Sequence, residues 1–129
     1  WASKMQTEIA LSTTEAEYMA LSMAMRELIP LMRLFEEAKA RGIDVDVNKA
    51  DVKCTVFEDN EGAAKIATVH KFRARTKHIH LKYHHFREHV TSGLIQIEKV
   101  PTTMQLADIF TKPLGLYLFI KHRLGIMGW

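Results

Sequence analysis

The run Val52-Lys-Cys-Thr-Val-Phe-Glu58 constrains the fold most. Its apolar residues allow burial on both faces, which asks for covering layers on each side. It stops at Asp59-Asn60, either of which can cap a helix reaching about Val69. A strand that feeds directly into a helix points to an α/β arrangement. Upstream, Ile9-Ala-Leu11 ends a short strand-like piece, and Ser12 or Thr13 can cap a helix running to about Arg41 and closed by Gly42. Its apolar face collects Met19, Met23, Leu28, Leu31, Leu34 and Phe35, and Pro30 predicts a kink or a break into two helices.

Residues 42–51 have no apolar period and read as a connector. Further on, Ile79, Tyr83, Phe86 and Val90 form one stripe of a helix ended by Ser92-Gly93. A strand follows at Leu94 to Val100, with Ile95 and Ile97 opposite Gln96 and Glu98, and Pro101 stops it. Thr102 with Gln105 reads as a capping box opening a helix. On that helix Gln105, Asp108 and Lys112 share a polar side while Leu106, Ile109 and Phe110 face inward. A last helix spans Leu116 to Leu124. At 129 residues, 47% of them hydrophobic and 26% charged, the chain is material for a single domain and not for a disordered segment.

Several classes fall away. The lone Cys54 excludes an internal disulfide framework and reads as a small buried side chain in a reducing compartment. No apolar stretch approaches the ~20 residues of a membrane span, and no signal peptide is recognisable, so an intracellular setting without membrane contact is expected. A start at Trp1 reads as a segment of something longer.

Three acids stand at separate junctions: Glu17 in Ser12-Thr-Thr-Glu-Ala-Glu-Tyr18, Asp59 in Val56-Phe-Glu-Asp-Asn60, and Asp108 in Gln105-Leu-Ala-Asp-Ile-Phe-Thr-Lys112. Carboxylates from separate elements suit a magnesium-dependent phosphodiester hydrolase, because hard oxygen ligands hold the ions that clamp attacking and leaving oxygens. No further acid sits in a comparable motif. Between His70 and His89 lie six Lys or Arg residues and six of the seven histidines, against one acid, Glu88. Lys71, Arg73, Arg75, Lys77 and His78 within it are candidates for phosphate or sugar contact. A solvated helix face with a basic loop is the competing reading. His80 with His84, and His85 with His89, have zinc-compatible spacing, but the pairs point to different sides and no second cysteine exists.

The order of elements resembles the ribonuclease H fold. The motifs Leu11-Ser-Thr-Thr-Glu-Ala-Glu-Tyr-Met-Ala-Leu21, Glu58-Asp-Asn-Glu-Gly-Ala63, Arg75-Thr-Lys-His-Ile79, Tyr83-His-His-Phe-Arg87 and Leu106-Ala-Asp-Ile-Phe-Thr-Lys-Pro113 resemble the ribonuclease H domain that ends the Pol polyproteins of Copia-type LTR retrotransposons. The resemblance covers Trp1 to Trp129. It implies a mixed sheet flanked by helices and four catalytic carboxylates, of which Glu17, Asp59 and Asp108 match three. The fourth belongs on the first, central strand, upstream of the stretch that Trp1-Ala-Ser-Lys4 resembles. The chain is therefore expected to start within the third strand, without the first two or the metal-bridging Asp. The implied activity is cleavage of the RNA strand of an RNA:DNA hybrid with two Mg2+ ions, or Mn2+ in their place. The implied partners are the hybrid and the upstream reverse transcriptase region of the same polyprotein. A virus-like particle in the cytoplasm or the nucleus is the implied location.

Each acid also has a purely structural reading. Glu17 fits the start of a helix, where acids meet the dipole, and Glu15 with Ser12 competes for that place. Asp59 could be only a cap, and Asp108 only a surface acid. Two functions stand side by side: a ribonuclease H segment active when the upstream strands are supplied, and a non-catalytic hybrid-binding or decayed remnant.

Overall fold

The computed structural model describes residues 8–43, 52–69 and 83–129. The first helix, α1 (Thr13–Ala40), opens on Ser12, whose hydroxyl accepts the Glu15 amide at 3.2 Å. The Glu15 carboxylate turns back to accept the Leu11 amide at 2.7 Å, so Glu15 is the structural acid of this helix start. At the other end Gly42, at φ 77°, closes the helix. Its amide donates to the Lys39 carbonyl and that of Ile43 to the Ala38 carbonyl, a double closure that needs a left-handed residue between them. Pro30 does not divide α1, so of the kink or break expected there the break into two helices is not seen. Ile29 and Met32, buried on either side of it, hold both halves to the core, so packing overrides the lost donor.

The strand β1 (Cys54–Glu58) leads through the Asn60 cap into α2 (Glu61–Thr68), and the Asn60 side chain accepts the Ala63 amide at 3.1 Å. The short α3 (Arg87–Thr91) precedes β2 (Ile95–Lys99), which pairs in parallel with β1 in the register Cys54 to Ile95 through Glu58 to Lys99. Parallel neighbours require a crossover, and α2 and α3 lie within it. Among the described residues the sheet has these two strands. β1 alternates and is not buried on both faces: Cys54, Val56 and Glu58 turn inward while Thr55 and Phe57 are exposed. Cys54 is only half-buried, and its thiol is pushed up by burial. No strand forms at Ile9–Leu11, where both apolar side chains stand in solvent; residues 1–7 lie outside the described residues.

The core gathers Tyr18, Met19, Leu21, Met25, Ile29 and Met32 of α1, Ala63 and Ala67 of α2, and Tyr83, Phe86 and Ile95. The predicted α1 face is thus displaced: Met19 belongs to it, Leu28 packs at its margin, and Leu31, Leu34 and Phe35 are exposed. Helix α1 and helix α2 touch closely at Gly62, where an added Cβ would come within 2.7 Å of Thr14 Cγ2. Of the helix expected around Ile79 to Val90, the described part is helical only over α3, although Tyr83 and Phe86 are buried as its stripe requires.

The predicted capping-box helix is absent. In its place stand two 3-10 turns, Thr102–Met104 and Leu106–Phe110, without side-chain caps. Gln105 instead donates its amide to the Phe57 carbonyl at 3.1 Å, tying the turns to β1. The predicted facing also reverses: Asp108 is buried, Leu106 and Phe110 are exposed. Helix α4 (Leu116–Met127) closes the chain, longer than predicted, and no helix among the described residues is long and apolar enough to cross a membrane.

Candidate active site

Helix α1 reads differently at two consecutive positions. Tyr18 enters the core completely, tilted against Phe86 with ring centroids 5.9 Å apart, while Glu17 stays half-buried on the adjoining side. The Tyr18 hydroxyl bonds His84 Nδ1 at 2.6 Å. Burial pushes the Tyr18 hydroxyl up and the His84 imidazole down, so each partner favours its neutral form.

Asp59 follows the carboxyl end of β1, where a bend joins strand to helix. Thr14 Oγ1 reaches the Asn60 side chain at 3.5 Å, which together with the close approach at Gly62 brings the start of α1 beside that bend. Asp108 comes from the second 3-10 turn, its side chain 8% exposed. The three predicted acids therefore share one electrostatic field. Burial raises the Glu17 carboxyl first, the charge of Asp59 raises it further, Lys112 opposes this, and Asp108 adds to the rise.

Two residues of this field escaped the motif reading. Glu58 is buried, and its Oε1 accepts the Asn60 amide at 2.9 Å. Burial raises its carboxyl, the Asn60 bond opposes, and Glu17 and Asp59 add to the rise. The signal was present in the alternation of β1, where an acid stands at an inward position after Cys54 and Val56. The second is Lys112, whose Nζ lies 2.8 Å from Asp108 Oδ1 and 3.7 Å from Asp59 Oδ2. The bond to Asp108 raises its ammonium above the ordinary lysine value, burial opposes this, and the charges of Asp108, Asp59 and Glu17 add to the rise.

The donor set has the oxygen chemistry a hard divalent ion prefers. The arrangement does not fit such an ion as it stands. Among the described residues no three His, Cys, Asp or Glu side chains form a group that could hold a metal ion, and an ammonium rests on the two aspartates. Of the described histidines, His84 bonds Tyr18, and His85 meets Phe86 edge-on with Nδ1 3.5 Å from Ser22 Oγ. His80 and the predicted phosphate contacts Lys71, Arg73, Arg75, Lys77 and His78 lie outside the described residues.

The chain is 35% identical over 128 residues to the retrovirus-related Pol polyprotein from transposon TNT 1-94 of Nicotiana tabacum, covering 98% of this chain and 9% of the relative. It is 33% identical over 129 residues to that of transposon RE2 of Arabidopsis thaliana, with 98% and 8% covered. To that of transposon RE1 of the same plant it is 34% identical over 119 residues, with 92% and 8% covered. No family model matches the chain, and no solved structure matches it. The chain is a homologue, over nearly its whole length, of a stretch of retrotransposon Pol polyproteins, and it spans 8–9% of the length of these relatives.

Proposed function

We propose that this homologue of retrotransposon Pol polyproteins is the C-terminal part of a ribonuclease H-like domain of the Copia type, which in its complete form hydrolyses the RNA strand of RNA:DNA hybrids. The observation that carries the reading is that Glu17, Asp59 and Asp108, from a helix, a strand end and a 3-10 turn, come near enough for both aspartates to add to the rise that burial gives the Glu17 carboxyl. Proteins rarely tolerate like charges together without a cation or a substrate to answer them. In this reading the three carboxylates supply oxygen donors for Mg2+ or Mn2+ once a fourth, on a strand preceding Trp1, joins them. Lys71, Arg73, Arg75, Lys77 and His78 meet the phosphates of the hybrid and set its register, and discrimination of RNA rests on groove width and the 2'-hydroxyl. The upstream reverse transcriptase region is the partner in cis, inside an intracellular particle or nucleus.

The test joins residues 1–129 to the polyprotein stretch that precedes the matching segment in the relatives. Mg2+-dependent cleavage of the RNA in a hybrid, much weaker for the 129 residues alone and lost in Asp59→Asn and Asp108→Asn, is expected. Cleavage that survives both substitutions would sink the assignment. The Lys112 ammonium on Asp59 and Asp108 favours a second reading, a hybrid-binding remnant without catalysis. Salt-sensitive hybrid binding with no cleavage in the joined protein is its signature, and neutralising Arg73, Arg75 and Lys77 should lower the salt slope by up to about one for each phosphate no longer neutralised.

A further inference from the structure

The mismatch between carboxylates that call for a cation and an arrangement that holds none ready has a local cause. Lys112 is fixed to Asp108 twice: its backbone amide donates to the Asp108 carbonyl at 2.9 Å, and its ammonium meets Asp108 Oδ1 at 2.8 Å. Just after the second 3-10 segment, the chain thus folds Lys112 back over its own acid. The ammonium then leans toward Asp59 Oδ2, 3.7 Å away on a different element. Asp59 and Asp108 are nearly covered, at 14% and 8% side-chain exposure, whereas the lysine side chain keeps 44%. The lysine is therefore the most exposed of the three side chains.

We propose that Lys112 is the built-in counter-cation of this site, holding Asp59 and Asp108 together in the ion-free protein and competing with a divalent cation for them. The proposal rests on the reading of these carboxylates as a cation site. An ammonium offers one charge on a flexible four-carbon stem, so it can leave without unfolding anything. A divalent ion brings two charges and accepts several oxygens at once, so it displaces the lysine when enough donors are present.

The experiment measures Mn2+ binding to residues 1–129 by electron paramagnetic resonance and by calorimetry, in the wild type, Lys112→Gln, Lys112→Arg and Asp108→Asn. Lys112→Gln is expected to tighten Mn2+ binding by about three- to tenfold, the size expected when one partly screened charge leaves a site. Lys112→Arg keeps the charge and should stay within about twofold of the wild type. Asp108→Asn should weaken binding in either background. Without metal, Lys112→Gln should melt below the wild type, and saturating Mn2+ should narrow that gap. Equal or weaker Mn2+ binding by Lys112→Gln, with Asp108→Asn still weakening it, would overturn the competition while leaving the cation site intact. No Mn2+ binding by any of the four proteins would overturn both the competition and the cation-site reading beneath it.

Discussion

The two supports of the acidic site are built on different principles. Asp59 stands where β1 runs into α2, beside the start of α1, and all three elements contribute to or line the buried apolar cluster. Asp108 stands in residues 101–129, which contribute no member to that cluster; the buried residues there are Asp108 itself and His122. That second region is held by polar ties, Gln105 to the Phe57 carbonyl and Lys112 to Asp59, while Phe110, Leu116, Tyr117 and Trp129 remain exposed. One acid is positioned by close packing, which resists displacement in every direction. The other is positioned by a few polar ties, a hydrogen bond worth about 0.5–1.5 kcal/mol net and a partly exposed ion pair among them.

The sharpest way to break the contrast is a matched pair of aromatic truncations. Phe86→Ala should cost about 3–5 kcal/mol, because Phe86 is fully buried against Tyr18 and leaves a cavity. Urea melts would check it. Next, Gly62→Ala should cost about 1–3 kcal/mol, since the new methyl meets the stiff Thr14 side chain. It should also move the raised Glu17 carboxyl, as a carboxyl NMR titration would report. A smaller effect concerns acidity. Glu17 and Glu58 both titrate above their ordinary value of 4.5 in the folded chain. Between that value and the raised ones the folded state binds more protons than the unfolded state, so stability falls as pH rises through this window. Glu58→Gln should flatten the slope, read from denaturation midpoints at stepped pH; a steeper slope would contradict it. Smallest of all, Phe110→Ala should change stability by no more than about 0.5 kcal/mol. A loss rivaling that of Phe86→Ala would erase the distinction between the two regions.

What the sequence revealed follows the same division. Ser12, Asn60 and Gly42 act through their immediate neighbours, so their roles at helix ends were legible. The alternation of Ile95 and Ile97 with Gln96 and Glu98 likewise needs no distant partner to be read. The segment after Pro101 is another matter. Thr102 and Gln105 have the spacing of a capping box, but Gln105 is drawn to the Phe57 carbonyl, 48 residues away in sequence. Burial of Asp108 and exposure of Phe110 follow from where the segment docks, which periodicity does not encode. On α1, the apolar pattern favoured Leu31, Leu34 and Phe35, whereas the packed face is set by Tyr83, Phe86 and the small residues of α2. The three acids were singled out through their motifs, and Glu58 was legible in the alternation of β1, while the role of Lys112 emerges only once Asp59 and Asp108 are neighbours.

Adjacency of Glu17 and Tyr18 gives α1 the character of an indexed shaft. Consecutive helix residues project about 100° apart, so Glu17 cannot swing about the helix axis without dragging Tyr18 through the same angle. Tyr18 is clasped by Phe86 on its ring and His84 on its hydroxyl. A turn of about 20° would carry a side-chain tip ~6 Å from the axis through about 2 Å, several times the tolerance of a working site. The rotational precision of the carboxylate is thus machined into the aromatic residue beside it, and any wear in that bearing is felt first at Glu17.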